Sequence, residues 1–149
     1  MKLYTELKKT GVIVSVSEPV ASAVATLIIK NEQILLGRRF EDEQFTCWQC
    51  PGGYLQRGET IEQAAKRLCL HKAGLAIQRL RSGSYSNNIF SNSHHTVTLY
   101  IVAEDYHIKN QALYKDEKAQ WSWFALDELP EPLFLPLVKV LESSIKSPN

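Results

Sequence analysis

The chain has 149 residues, 44% of them hydrophobic and 22% charged, which suits one folded domain with a proper core and excludes fibrous or disordered classes. A formal net charge of +1 gives no general attraction to nucleic acid or to an anionic membrane, so any basic site must be local. The polar stretch Met1 to Thr10 has no apolar core of a leader. No apolar run approaches the roughly 20 residues of a spanning helix, and three cysteines do not make a secreted disulfide framework. A cytoplasmic protein with reduced thiols and neither nucleic acid nor membrane as partner is the expectation.

Along the chain, Ala21 to Ile29 and Ile34 to Arg39 are apolar runs separated by Lys30-Asn31-Glu32-Gln33, a polar turn whose Asn tolerates positive φ, and the pair predicts a β-hairpin. Thr60 then opens a segment in which Ile61, Ala64, Ala65 and Leu68 recur at helical spacing. Gln63 stands where a capping box needs it, and Gly74 supplies the stop. A helix from Ile61 to Lys72 follows. Thr96 to Ala103 and Gln120 to Phe124 are rich in β-branched and aromatic residues and predict strands. A last helix starting at Pro136 would bury Leu137, Leu141 and Ile145. The order predicts an α+β domain over residues 1–149, a mixed sheet sandwiched between helices, without internal repeats.

The chemistry-bearing stretch is Gly52-Gly53-Tyr54-Leu55-Gln56-Arg57-Gly58-Glu59, followed by the helix with Arg67 and ended by Gly74-Leu75. It resembles the Nudix box, with Gly53, Glu59, Arg67, Cys69 in an apolar slot, Gly74 and Leu75 in register. Flanking elements also agree: Leu35-Leu36-Gly37-Arg38-Arg39 and Trp48 upstream, Trp121 to Phe124 and Leu126 to Pro130 downstream. The resemblance implies the α/β/α Nudix fold, a nucleoside diphosphate derivative as ligand, and magnesium as the cofactor of an active enzyme. The chain departs from the family where three glutamates share one helical face. It carries Leu68, His71 and Lys72 there, and neither leucine nor lysine offers a hard cation an oxygen.

Arg67-Leu68 is similar to the GDP-mannose mannosyl hydrolase branch, as is an N-terminal short helix followed by two strands. That likeness implies metal ligation through the Gly52 carbonyl, Glu59 and Glu117. It places Lys72 at a ligand glutamate's position, Lys118 at that of the histidine base, Arg39 and Arg67 on the phosphate side, and His95 at a strand-entry histidine. Family members are often dimers, so a homodimer is an assembly the resemblance implies.

Each position also has a plainer reading. Glu59 suits a helix N-terminus, Arg67 can simply brace Glu59, and Lys72 complements a helix C-terminus. The fork of Arg39 suits bidentate phosphate contacts, although a strand-end charge is an alternative. Tyr54, Tyr85 and Phe90 can stack a base or fill the core. Cys47-Trp48-Gln49-Cys50, with Cys69 and His71, opens a separate reading as a zinc or thiol site, against which the motif lacks a second pair. Two functions fit these residues: a hydrolase with reduced or rerouted activity on a nucleotide or nucleotide sugar, and a non-catalytic nucleotide-binding module.

Overall fold

In the computed structural model, which describes residues 18–145, β1 (Ala21–Lys30) and β2 (Gln33–Glu41) form the expected hairpin. Asn31 and Glu32 turn it at φ of 53° and 61°, the doubly positive conformation whose twist matches the flanking strands. Only Ile29 and Lys30 pair with β2 before the two strands part. The rest of that edge of β1, Ala23 to Ala25, pairs with β4 (Gly52–Tyr54). β2 instead takes β7 (Ser122–Ala125) along its first half and β3 (Gln44–Gln49) along its second. The sheet is thereby split between β1/β4 and β2/β3.

On its other edge β1 runs parallel to β6 (His94–Ile108), which pairs antiparallel with the long β5 (Leu75–Ser91). A strand covered on both faces reads as a continuous apolar run, as Val24 to Ile28 does apart from Thr26. Alternation assigns the side chains to two layers. Val24, Ile28, Ile101 and Ala103 pack under α1 (Ile61–Ala73), whereas Leu27, Tyr100 and Val102 pack with Leu137, Val140 and Leu141 of α3 (Leu135–Ile145). This is the sandwich expected from the sequence. A short α2 (Gln111–Tyr114) lies in the connection to β7. No helix among the described residues is long and apolar enough to cross a membrane.

α1 carries the box residues, and its ends are fixed locally. Thr60 and Gln63 exchange the two capping-box bonds, at 2.8 and 3.1 Å. Its buried face is Ala64, Ala65, Leu68, Cys69 and Ala73, mostly small residues that let the helix lie close to the sheet. Gly74 ends it at φ 69°, where an L side chain is strained, and a Cβ there would run into the Asn110 carbonyl. The Gly74 carbonyl also accepts from Lys109 N and Asn110 N, so the segment cannot swing away. Gly74→Ala is therefore expected to cost at least about 2 kcal/mol, combining left-handed strain with the clash. In a thermal melt this is a fall of roughly 5 °C or more.

Several boundaries differ from the sequence reading. β6 is longer than Thr96 to Ala103 at both ends, and α3 begins one residue before Pro136. β7 begins at Ser122 rather than Gln120, because Gln120 adopts φ 49° and breaks the extended backbone. The implied N-terminal helix and the side chain of Ile145 lie outside the described residues.

Candidate functional site

The split in the sheet opens into a cavity of about 440 Å³. Residues from both core layers reach it: Val24 and Leu68 from the α1 side, Tyr100 and Leu137 from the α3 side. β4 contributes Gly52 and Gly53, and the parting strands β2 and β3 contribute Arg39 and Gln49.

At Gly53 the chain lies close against α1. A Cβ on it would stand 2.7 Å from Leu68 Cδ2 and 3.6 Å from Lys72 Nζ. Leu68, 5% exposed, thus fills the space beneath the loop, while the Lys72 ammonium sits at the cavity edge. His71 is exposed.

Behind this edge, Arg67 and Glu59 tie the loop to the helix. Arg67 Nη2 and Nε donate to the two Glu59 carboxylate oxygens at 2.7 and 3.0 Å, and Nη2 also donates to the Tyr54 carbonyl at 2.9 Å. Gln56 N donates to the same carboxylate at 2.7 Å. The Arg67 bond holds the Glu59 carboxyl below the usual carboxylate range, with a smaller contribution from Gln56, and raises Arg67 in return. Arg67 lines the cavity, Glu59 does not, and the bidentate pair is a neutral brace.

That brace leaves Arg39 and Lys72 as the cations facing the cavity. Arg39 Nη1 donates to Gln49 Oε1 at 3.0 Å and its guanidinium lies 4.4 Å from the Phe134 ring centre. Its Nε is buried without a hydrogen-bond partner, and its contact with the exposed Glu41 carboxylate is long, at 3.8 Å. Among the described residues no carboxylate pairs with Lys72. Although the Lys72 residue as a whole is exposed, burial of its ammonium, together with the charges of Arg39 and Arg67, lowers its pKa below the ordinary lysine value.

Aromatic rings line the cavity beside Arg39. Phe134 stacks on Phe90 at 6.1 Å and Phe90 on His94 at 4.7 Å. Thr96 and Thr98 also line the cavity, their hydroxyls hydrogen-bonded with the Asn88 side chain at 3.1 Å. The cavity can take a flat ring against its wall and an anionic group at its cationic edge.

The structure gathers Gly52, Tyr54, Arg39, Arg67 and Lys72 around one cavity, with Glu59 behind Arg67. It does not bring Glu117 or Lys118 there. Glu117 borders a separate depression with Tyr114 and Trp121, and the Lys118 ammonium lies over Phe40. The cause is the anchoring of that loop, whose Lys118 and Ala119 carbonyls accept from Arg38 Nε and N at 3.0 and 2.7 Å. His95 is also displaced from its expected place. Even-numbered residues of β6 (His94, Thr96, Thr98, Tyr100) line the cavity, whereas His95 pairs with Asn87 instead. His94, Gln49 and Phe134 are cavity residues that the sequence reading missed. Period-two alternation back from the buried Tyr100 would have found His94.

The thiol alternative does not find its site. Cys50 packs under α3 and Cys69 under α1, and burial raises all three thiols, Cys69 to about 12. Among the described residues no group of three or more His, Cys, Asp or Glu side chains is placed to hold a metal.

A mixed, split sheet sandwiched between helices is a fold shared with known proteins. Residues 19–143 match the NUDIX domain, and the chain belongs to that family. It is similar to the oxidized purine nucleoside triphosphate hydrolase of Mus musculus, 30% identical over 104 residues, 70% of this chain and 65% of that protein. Against the ADP-ribose pyrophosphatase of Methanocaldococcus jannaschii it is 29% identical over 116 residues, 76% of this chain and 67% of that one. The chain thus spans just under two thirds of the mouse hydrolase. Among solved structures it resembles a MutT NUDIX hydrolase from Burkholderia pseudomallei, with TM-score 0.75, 28% identity and coverage of 84% of this chain and 98% of that one. The E. coli ORF135 protein, at 22% identity and TM-score 0.66 over 86% and 90% of the two chains, shares the fold.

Proposed function

We propose that this protein binds a nucleoside diphosphate or triphosphate derivative in the split-sheet cavity, and that its magnesium-dependent hydrolysis is reduced. The observation that carries this reading is the pairing of aromatic lining, Phe90 and Phe134, with an edge that carries two cations, Arg39 and Lys72. A nucleobase can stack on the one while phosphates meet the other.

The names of the relatives, a purine nucleoside triphosphate hydrolase and an ADP-ribose pyrophosphatase, share a nucleoside joined to a phosphate chain. The similarity of Arg67-Leu68 to the GDP-mannose mannosyl hydrolase branch adds GDP-mannose as a candidate of the same chemistry. Magnesium does not fit the donor set. Glu59 is engaged by Arg67 and Gln56, Glu117 lies elsewhere, and the box face offers Leu68 and an ammonium instead of oxygens. Binding groups therefore outnumber groups able to activate a water. A single domain over the whole chain, acting in the cytoplasm, completes the proposal.

The test is a thermal-shift screen run beside a turnover screen. ADP, dGTP, ADP-ribose and GDP-mannose are expected to raise the melting temperature, and free mannose or ribose to leave it unchanged. Phosphate or sugar release with magnesium is expected to stay far below that of a Nudix hydrolase assayed in parallel. Magnesium-dependent turnover as fast as that enzyme's would overturn the second half, and stabilisation by free sugars alone the first.

A further inference from the structure

Where the Nudix pattern has a ligand glutamate, this chain presents Lys72, and the structure shows where its ammonium goes. Nζ stands beside Gly53, at the edge of the cavity, not paired with Glu59. Both oxygens of Glu59 are already engaged, Oε1 by Arg67 and Gln56 and Oε2 by Arg67. Arg39 contributes a second cation to the same cavity, with a buried Nε that lacks an acceptor. Two positive groups converge on one space: among the described residues Lys72 has no carboxylate partner, and Arg39 has only the long 3.8 Å contact with the exposed Glu41.

We propose that Lys72 and Arg39 grip the phosphate chain of the ligand directly, so that the protein binds a pyrophosphate group without a divalent cation. This rests on the nucleotide reading above and specifies how the phosphates are held. The physical case has three parts. A phosphate group would meet the Arg39 guanidinium beside Gln49 and supply the missing counter-charge at Lys72. An ammonium is a compact charge that binds phosphate well. It cannot, however, acidify a bound water as a metal ion does, so metal-free capture and weak hydrolysis have the same cause. Leu68 contributes by filling the neighbouring position with hydrocarbon, which leaves a cation no second oxygen from the helix.

The experiment is titration calorimetry with inorganic pyrophosphate and with ADP, each in excess EDTA and in millimolar magnesium, on wild type, Lys72→Met and Lys72→Glu. Lys72 is exposed as a residue, and unchanged melting temperatures would verify that both variants fold. Wild type is expected to bind both probes in EDTA at least as tightly as in magnesium, because the metal competes for the same oxygens. Lys72→Met should weaken metal-free binding about tenfold, and Lys72→Glu more, with magnesium now strengthening it. ADP bound by wild type only in magnesium would overturn the inference while leaving the nucleotide reading standing. ADP bound in neither condition would overturn both. Wild-type affinity in both variants would remove Lys72 from the site.

Discussion

Leu68→Glu, which restores a carboxylate to the box helix, is expected to lower the melting temperature by roughly 10 °C. Leu68 is 5% exposed and packs among Val24, Ala64 and Ala65. Losing its burial costs about 1.5 to 3 kcal/mol, and an ionised or protonated carboxyl in the same place adds about 1 to 3 more. A glutamate here would have Lys72 four residues on, but an i,i+4 pair returns only about 0.3 to 0.5 kcal/mol. The net loss is a few kcal/mol, measurable by calorimetry or a urea melt. Leu68→Met keeps the volume and should cost less than about 1.5 kcal/mol. His71→Glu, on an exposed residue, should lose no more than about 1 kcal/mol from placing a negative charge in the last helical turn. A Leu68→Glu protein as stable as wild type would mean that this face is not committed to the core. The expected contrast shows what the leucine does: it turns a position available for a cation into part of the packing between α1 and the loop.

That packing also explains what could be read from the sequence. The turn at Asn31, the capping box at Thr60 and Gln63, and the stop at Gly74 are local chemistry, complete within a few residues, and all three are present in the structure. β1 was legible because burial on both faces writes a continuous apolar run. β5 was not: most of its middle, from Gln78 to Asn88, is polar or small, and among the described residues this strand pairs with β6 alone. The box motif placed Gly52, Gly53 and Arg67 together because its spacing is fixed by one loop and one helix. Glu117 and Lys118 depended on a connection whose course is set by contacts with Arg38, eighty residues away in sequence, and no local pattern encodes that. The same holds for Phe134, which is brought to Arg39 by the pairing of its segment with Trp48, far away in sequence.

Arg39→Ala is expected to reduce ADP affinity by between about ten- and a hundredfold while leaving the fold in place. Charge-assisted hydrogen bonds are worth about 1.5 to 3 kcal/mol each when a partner is removed, and about 1.4 kcal/mol is a factor of ten in affinity. Arg39 is held for such bonds by Gln49 on one side and by the face of Phe134 on the other, which fixes the plane of its fork. The stability cost should be smaller, because a partly exposed cation–π contact contributes about 0.5 to 1 kcal/mol and the Glu41 contact is long and solvent-screened. Arg39→Lys keeps the charge and loses the fork, so its affinity should fall between alanine and wild type. Gln49→Ala leaves the charge and removes one of its guides, and should weaken binding less than Arg39→Ala. The competing role for Arg39 is as a shelf for Phe134, and it predicts a different pattern. In that case Arg39→Ala and Phe134→Ala would lower the melting temperature alike, and ADP would stabilise Arg39→Ala as much as wild type. Calorimetric affinities read beside melting temperatures separate the two roles, since a phosphate contact acts on the bound state and a shelf acts on the fold.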